Sequence, residues 1–405
     1  MLLALAFSLT TLAHPPVHLD LEMESHEYAK LLEKMEKNKE GELDNAPINR
    51  AISMGTRLSA WLAFENNRRS ESEALRLSNP TTRRGIPVDK PSVYSDKTVE
   101  AELKKLEVDM PASMLAVLNG AVFPTTLPLP DEAFIVLARR VDRNYQSAAR
   151  YKSLLPWMSH YRQAKNKDVR GYYYMRTKGY TAGDMERFEN FAEDEKQRIR
   201  DALYGMCLNI SNVNPARCKS ALEQDEREGK LAQSFATYSA RAVQVWNAFF
   251  DIPNYAVRGD VTHTDPNLMI VPFNTPSVPK FIPYLQNNVE EEFQFGKWKM
   301  VIKFGTFRNG AKLTFKPGVT PHVTGLGGNE IVMDSNQPIE EYESQWTIRH
   351  EFGHVIGLPD CYHEFYDDDQ KAFVNYQLDI TDLMCSRAGD MNERIYKELK
   401  RAYHN

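Results

Sequence analysis

The amino-acid sequence predicts an α+β fold, in which a mainly helical region precedes a domain with a small mixed sheet. From Val99 to about Phe250, apolar residues recur at three- and four-residue spacing, which is typical of amphipathic helices. After about Asn254 the pattern changes to short apolar or alternating segments interrupted by a helical one. This order of strand, helix, strands and helix indicates an α+β domain.

The first residues, 1–13, read MLLALAFSLTTLA and precede His14-Pro15-Pro16. This apolar run is too short to span a bilayer but suits the core of a signal peptide. The sequence therefore predicts secretion, to the extracellular space or the periplasm, with no stable membrane insertion. A buried helix is the alternative interpretation of the run.

Residues 14–98 are polar and are expected to be partly helical or flexible. Their first part, to about residue 65, is charged and helix-favouring, whereas 66–97 are rich in Arg, Ser, Asn and Pro and resemble a loop. Residues 99–254 are predicted to form a helical domain. Within it, Thr181-Ala-Gly-Asp184 resembles the capped start of a helix that ends near Cys207.

Residues 255–405 are predicted to form the α+β domain. Strands are expected at 267–273, 297–307, 311–316 and 329–334, and helices at 280–295, 341–357 and 392–403. The strand at 311–316 is expected to pair with the strand at 297–307.

The net charge of −5, with both signs interspersed, gives no reason to expect binding to nucleic acid. The four cysteines are consistent with export. Cys207 lies close to Cys218 in sequence, and Cys361 lies close to Cys385, so two short-range disulfides are the simplest pairing. Four cysteines allow three connectivities, and the sequence leaves that choice open. Reduced thiols are the alternative if the chain is not exported.

A candidate metal site lies in the predicted helix at 341–357, which contains His350, Glu351 and His354. Residues four apart share one helical face, so both imidazoles can point at one metal ion. Glu351 lies beside that site and is placed to hold a water molecule, as in zinc hydrolases.

Gly357 can adopt the left-handed conformation that ends a helix and turns the chain. Asp360 can then approach as a third ligand, which leaves one zinc position open for catalysis. Other donors compete for this role, and Asp360 is favoured because Gly357 supplies the turn it needs. The competing donors are His363, Glu364, Asp379 and Asp382.

The segment HEFGHVIGLPD, from His350 to Asp360, resembles the extended metzincin signature HExxHxxGxxH/D, with aspartate in the last place. Metzincins also have a methionine turn beneath the metal, and Asp382-Leu383-Met384-Cys385 resembles it, with Met384 as its methionine. The aspartate variant is similar to the snapalysin-like branch of small secreted proteases. The resemblance covers about residues 255–405. A tyrosine often follows the methionine turn in this family, but here Cys385-Ser386-Arg387 follows.

The resemblance implies a secreted zinc metalloendopeptidase with a metzincin-like catalytic domain. His350, His354 and Asp360 would bind one Zn²⁺, and Glu351 would be the general base for a metal-activated water. A protein or peptide substrate would lie along an edge strand at 329–334. A disulfide between Cys361 and Cys385 would fix the floor of the site.

Several alternatives remain open at the level of the sequence. The same metal centre would serve a zinc amidase that acts on cell-wall peptides, and a metzincin-like fold without activity would be a binding protein. The run Asp367-Asp368-Asp369 could bind Ca²⁺, although a solvated loop is favoured. The helical region is a propeptide, a targeting module or a brace. The oligomeric state is not predicted.

Overall fold

The computed structural model describes residues 47–78, 90–210 and 214–404. The predicted signal peptide at 1–13 and the polar segment that follows it, up to residue 46, lie outside the described residues. The helices are α1 Pro47–Asn66, α2 Asp96–Asp109, α3 Ala112–Leu118, α4 Asp131–Leu154, α5 Met158–Ala164, α6 Arg170–Lys178, α7 Ala182–Met185, α8 Glu193–Leu208, α9 Pro215–Arg227, α10 Leu231–Phe250, α11 Phe281–Leu285, α12 Tyr342–Val355 and α13 Glu393–Tyr403. The strands are β1 Ser92–Tyr94, β2 Thr262–Asp265, β3 Leu268–Asn274, β4 Gln294–Phe295, β5 Trp298–Gly305, β6 Lys312–Lys316, β7 His322–Val323, β8 Glu330–Asp334, β9 Tyr362–Asp367 and β10 Ala372–Gln377.

This arrangement confirms the predicted α+β class, with a helical region followed by small mixed sheets. In the described part of the chain, no helix combines the length and the apolar character needed to cross a membrane.

Two helices of the helical region begin at residues whose side chains cap them. Ser95 and Thr98 form a capping box at the start of α2, and Asn214 caps α9 with Pro215 in its first turn. The disulfide between Cys207 and Cys218 joins α8 to α9, as the simplest pairing predicted.

The helix predicted after Thr181 is two separate helices. Thr181 does form a capping box, but α7 ends at Met185 and α8 starts only at Glu193. Between them the chain passes through Ala192 in an extended conformation. The break lets Met185 and Phe188 both enter the apolar core of α6 to α10.

Helix α4 is the centre of the first helical layer. Its apolar face buries Phe134, Ala138 and Val141 against α1 and α2. A Cβ atom built on Gly55 of α1 would lie 2.3 Å from the ring of Tyr145 on α4. The glycine therefore allows these two helices to approach closely, which a larger residue would prevent.

Two of the three sheets lie wholly in the C-terminal region, and both are mixed. One has the order β2-β3-β5-β4, with β3 and β5 parallel, and the other has the order β6-β8-β7, with β6 and β8 parallel. A parallel bridge between Phe273 and Ala311 links the two sheets. The predicted pairing of 311–316 with 297–307 is wrong, because β5 already has β3 and β4 as its neighbours.

The chain after Asp360 forms the hairpin β9–β10, which the sequence analysis did not predict. Strand β1, from the N-terminal part of the chain, pairs antiparallel with β10 and makes it a three-stranded sheet. Leu154, at the end of α4, packs on Tyr366 and Phe373 of this hairpin. The helical region thus covers one face of the segment that follows the candidate metal ligand.

Helix α12 is also attached to the helical region. The Glu341 carboxylate, at the helix N-cap, accepts hydrogen bonds from the backbone N–H groups of Leu77 and Ser78, both at 2.8 Å. The Asn336 amide donates to the Thr56 hydroxyl and the Tyr145 hydroxyl, both at 3.0 Å. These buried contacts join α1 and α4 to the segment that leads into α12.

Candidate metal centre

Helix α12 presents the two histidines. Ile348, Phe352 and Val355 are fully buried in the core of the C-terminal region and fix the orientation of the helix. His350 and His354 consequently lie on the remaining face, with their ring centroids 4.8 Å apart.

Helix α12 ends in the turn that the sequence predicted at Gly357. Gly357 has a positive φ of 86°. The backbone N–H of Leu358 donates to the Gly353 carbonyl and that of Gly357 to the His354 carbonyl, both at 3.0 Å. This pair of bonds is the Schellman arrangement, in which glycine is preferred at the left-handed position.

The turn brings Asp360 back to the histidines. Its Oδ1 lies 3.0 Å from Nε2 of His350 and 3.2 Å from Nε2 of His354. The three donor atoms all lie within 4.8 Å of one another. Two imidazole nitrogens and one carboxylate oxygen form a donor set that suits Zn²⁺.

Replacing Gly357 with alanine should destabilise the protein and weaken metal binding. The new Cβ would lie 2.8 Å from the Ala256 carbonyl oxygen, in addition to the strain of a positive φ. Strain of this kind costs about 1–3 kcal/mol. Chemical denaturation and a zinc-competition titration would measure both effects. Gly296→Ala is the matched control, because its φ is 59° and nothing lies within 4 Å of the added atom. Equal effects of the two substitutions would contradict this account of Gly357.

Backbone carbonyls fix both imidazoles. Nδ1 of His350 donates to the Leu383 carbonyl, and Nδ1 of His354 donates to the Leu358 carbonyl, both at 2.8 Å. A carbonyl only accepts, so each Nδ1 carries the proton and each Nε2 keeps its lone pair when the ring is neutral. This is the usual outer-shell arrangement of metal-binding histidines.

Asp360 and His354 influence each other's charge. Burial by itself lowers the pKa of His354, but the Asp360 carboxylate outweighs it and raises that pKa to about 9. Burial acts in the opposite direction on Asp360, yet the two histidines hold the pKa of its carboxyl well below the usual range. The site therefore favours a negative carboxylate with positive charge beside it, and a divalent cation would replace the proton on His354.

Glu351 lies beside this group. Its side chain is buried, and its Oε2 has no hydrogen-bond partner among the described residues. Its charge also contributes to the raised pKa of His354, so the carboxylate is close to that imidazole. A buried carboxylate oxygen of this kind is suited to receive a proton from a bound molecule.

Met384 packs against α12 at Gly353. A Cβ atom on Gly353 would lie 2.3 Å from the Met384 sulfur. The Asp382 carboxylate holds this turn, because it accepts from the Met384 N–H at 2.9 Å and from the Arg394 guanidinium. The next residue, Cys385, forms a disulfide with Cys361, and Cys361 directly follows Asp360 in the chain.

The competing donors are directed elsewhere. Glu364 is paired with Arg150, Asp382 with Arg394, and Asp379 with Thr381. His363 faces Phe365 and, from the helical region, Asp168. Cys361, Asp382 and Cys385 do lie close together, but the two sulfurs are bonded to each other.

His363 should make the protein less stable as the pH falls from about 6.5 to 4. Burial lowers its pKa to about 4, although Asp168 partly opposes this. Between these pH values the unfolded chain binds a proton that the folded protein excludes, and the shift corresponds to about 3 kcal/mol. Urea unfolding of metal-free wild type and His363→Leu would measure the difference. Buried acids other than Asp168, whose pKa His363 itself lowers, contribute to both proteins equally, so a difference that does not change with pH would contradict the prediction.

The aspartate run forms the turn between β9 and β10. The Asp367 carboxylate accepts from the backbone N–H groups of Asp369 and Gln370 and pairs with Lys165. Asp368 pairs with Arg162. Within the described residues, these carboxylates are not among the groups whose donor atoms converge on one point. The binding of Ca²⁺ here therefore gains no support.

The sequence analysis missed one residue of the centre, Tyr362. Its ring lies nearly parallel to that of His350, with the ring centroids 6.4 Å apart, and its hydroxyl lies close enough to Asp360 for that charge to act on it. Burial and the Asp360 charge raise the pKa of Tyr362 well above its ordinary value, so the hydroxyl remains a donor. The alternation of YHEFYD and AFVNYQ around the aspartate run was the signal for a hairpin that would place Tyr362 here.

No protein-family model matches the sequence, and comparison with curated proteins and with solved structures gave no match.

Proposed function

We propose that this protein is a zinc-dependent endopeptidase, with Zn²⁺ held by His350, His354 and Asp360. The observation that carries the proposal is the convergence of these three donors, with the unpartnered Glu351 oxygen beside them. The resemblance of HEFGHVIGLPD to the metzincin signature, with Met384 beneath the helix, supports the same function.

A Zn²⁺ ion held by His350, His354 and Asp360 would acidify a water molecule and polarise the substrate carbonyl. Glu351 accepts the proton of the attacking water and passes it to the leaving amine. The peptide C–N bond breaks, a C–O bond forms, and the products are a carboxylate and an amine. The Leu383 and Leu358 carbonyls keep both imidazoles oriented, and the Tyr362 ring lies beside that of His350.

The substrate is proposed to lie on a different strand from the one expected. Strand β8, at 330–334, is paired on both sides, with β6 and with β7, so it offers no free edge. The edge strands of this sheet are β6 and β7, and β7, His322–Val323, contacts α12. An extended peptide could add to that edge by backbone hydrogen bonds.

Secretion is part of the proposal. Both cysteine pairs are joined as disulfides, which persist in oxidising compartments. This agrees with the expected signal peptide.

The test exposes a diverse peptide library to the purified protein and to Glu351→Ala, with and without a chelator, and identifies cut sites by mass spectrometry. The expected result is a set of cuts that the chelator and the substitution both abolish. Cuts that persist in both conditions would show a contaminating protease and would contradict the proposal. Purified cell wall serves as a second substrate. Release of its peptides without cleavage of the library would favour the zinc amidase.

A further inference from the structure

We propose that Arg150, on α4 of the helical region, is a positioning residue of the metal centre, which holds Asp360 in place through Glu364 and Tyr362. The inference depends on the proposed metal site. It concerns how the third ligand is held, and it assigns the helical region a part in that site.

Strand β9 places two polar side chains on the same face. Tyr362 and Glu364 are two residues apart on this strand, so their side chains leave the same face, whereas His363 and Phe365 leave the other. Both polar side chains therefore point to the same neighbour. That neighbour is Arg150.

The Arg150 guanidinium forms hydrogen bonds with both of these side chains. Its Nε lies 3.2 Å from Oε1 of Glu364, and its Nη2 lies 2.6 Å from Oε2. The same Nη2 donates to the Tyr362 hydroxyl at 3.4 Å. The Glu364 side chain is only 4% exposed, and its charge also acts on the Tyr161 hydroxyl of α5. A two-pronged arginine–carboxylate pair in this environment has one defined geometry.

Tyr362 connects Arg150 to the proposed ligand Asp360. Tyr362 follows Asp360 by two residues, and its ring lies nearly parallel to that of His350 with centroids 6.4 Å apart, so its side chain lies beside the metal centre. Its hydroxyl accepts from Arg150, which leaves its one hydrogen free for the Asp360 carboxylate. Asp360 needs a hydrogen-bond donor to hold it, because its side chain is 36% exposed and lies in the turn after α12. Hydrogen bonds to a ligating carboxylate orient it for the metal.

Stability alone does not account for this buried pair. Burying an ion pair costs desolvation that its attraction often only offsets, so such pairs contribute little net stability. A role in positioning explains why Arg150 reaches from the helical region to the strand that follows the ligand. If the helical region were removed as a propeptide, Arg150 and Tyr161 would leave with it. The inference therefore favours a helical region that stays in the active protein.

The experiment measures zinc affinity of the full-length protein by competition with a chromophoric chelator, and the visible spectrum of the Co²⁺-substituted protein. The variants are Arg150→Met, Arg150→Lys, Tyr362→Phe and the double variant Arg150→Met/Tyr362→Phe. Arg140→Met is the matched control. It lies on the same helix, but its ion pairs are with Glu102 and Asp109 of α2.

We expect Arg150→Met to weaken zinc binding about 10- to 100-fold and to change the Co²⁺ spectrum. Tyr362→Phe should act in the same direction, and the double variant should be no worse than the stronger single one, since both act on one link. Arg150→Lys should recover part of the affinity, and Arg140→Met should leave it unchanged. An Arg150→Met protein with a lower melting temperature but unchanged zinc affinity would overturn the inference.

Three further outcomes complete the test and keep the inference separate from the proposed function. If Arg150→Met does not fold, Tyr362→Phe decides, because it keeps the Arg150–Glu364 pair, and unchanged zinc affinity there would overturn the inference. If the wild-type protein binds zinc and the Arg150 variants bind it more weakly, but the wild type cleaves no peptide, the inference is supported and the proposed peptidase activity is contradicted. Wild type that binds no zinc would overturn both.

Discussion

Replacing Glu351 with glutamine should lower kcat/KM for peptide cleavage by about 10²- to 10⁴-fold while the protein keeps its zinc. Glutamine has nearly the same shape as glutamate, but its amide cannot accept and return a proton at neutral pH. The three proposed ligands are untouched, because Glu351 is not among the converging donors. Initial rates on a peptide substrate, with zinc content measured by atomic absorption, would give both numbers.

The control for this variant is Glu343→Gln. Glu343 lies in the first turn of the same helix and is exposed, so the same chemical change there should leave kcat/KM near the wild-type value. A Glu351→Gln protein with full activity would exclude Glu351 as the base. Loss of zinc from it would instead indicate that Glu351 helps to bind the metal.

Replacing Asp360 with asparagine should weaken zinc binding by more than about 100-fold, which is the upper range for residues that only support a ligand. The amide is isosteric with the carboxyl group but neutral, and it is a much poorer ligand. The substitution also removes the charge that raises the pKa of His354 to about 9, so that pKa should fall. Zinc competition would measure the first effect, and NMR titration of the metal-free protein the second.

Asp368→Asn is the matched control, because Asp368 is an exposed aspartate eight residues further along the chain and pairs only with Arg162 among the described residues. Zinc affinity equal to wild type in Asp360→Asn would rule out Asp360 as the third ligand. Glu364 would then be the next residue to test.

The local part of the candidate site could be predicted from the sequence. Helix α12 was expected at 341–357 and is present at Tyr342–Val355, and Gly357 provides the expected turn. Both properties depend on residues within a few positions of each other. Spacing along one helix and a single glycine conformation were enough to place His354 and Asp360 together.

The parts that failed depend on distant contacts. Pairing of β6 with β8 follows from which strand edges are free, and segment patterns do not contain that information. The hairpin β9–β10 was overlooked because the aspartates between its strands were interpreted as a loop or a calcium ligand. Nothing local connects Arg150 to Glu364, which is 214 positions away in the chain.

The pairing of β1 with β10 affects the order in which the protein can mature. β1 lies near the beginning of the described chain and β10 near its end, and Arg150 likewise meets a strand synthesised much later. Contacts between such distant segments form slowly, because a long loop must close before they stabilise anything. During synthesis the helices emerge first and can fold. The sheet β1-β10-β9 beside Asp360 can form only after β9 and β10 have been synthesised. The peptidase that we propose would thus acquire activity late, after most of the chain has been made, and a growing chain would be harmless to its neighbours.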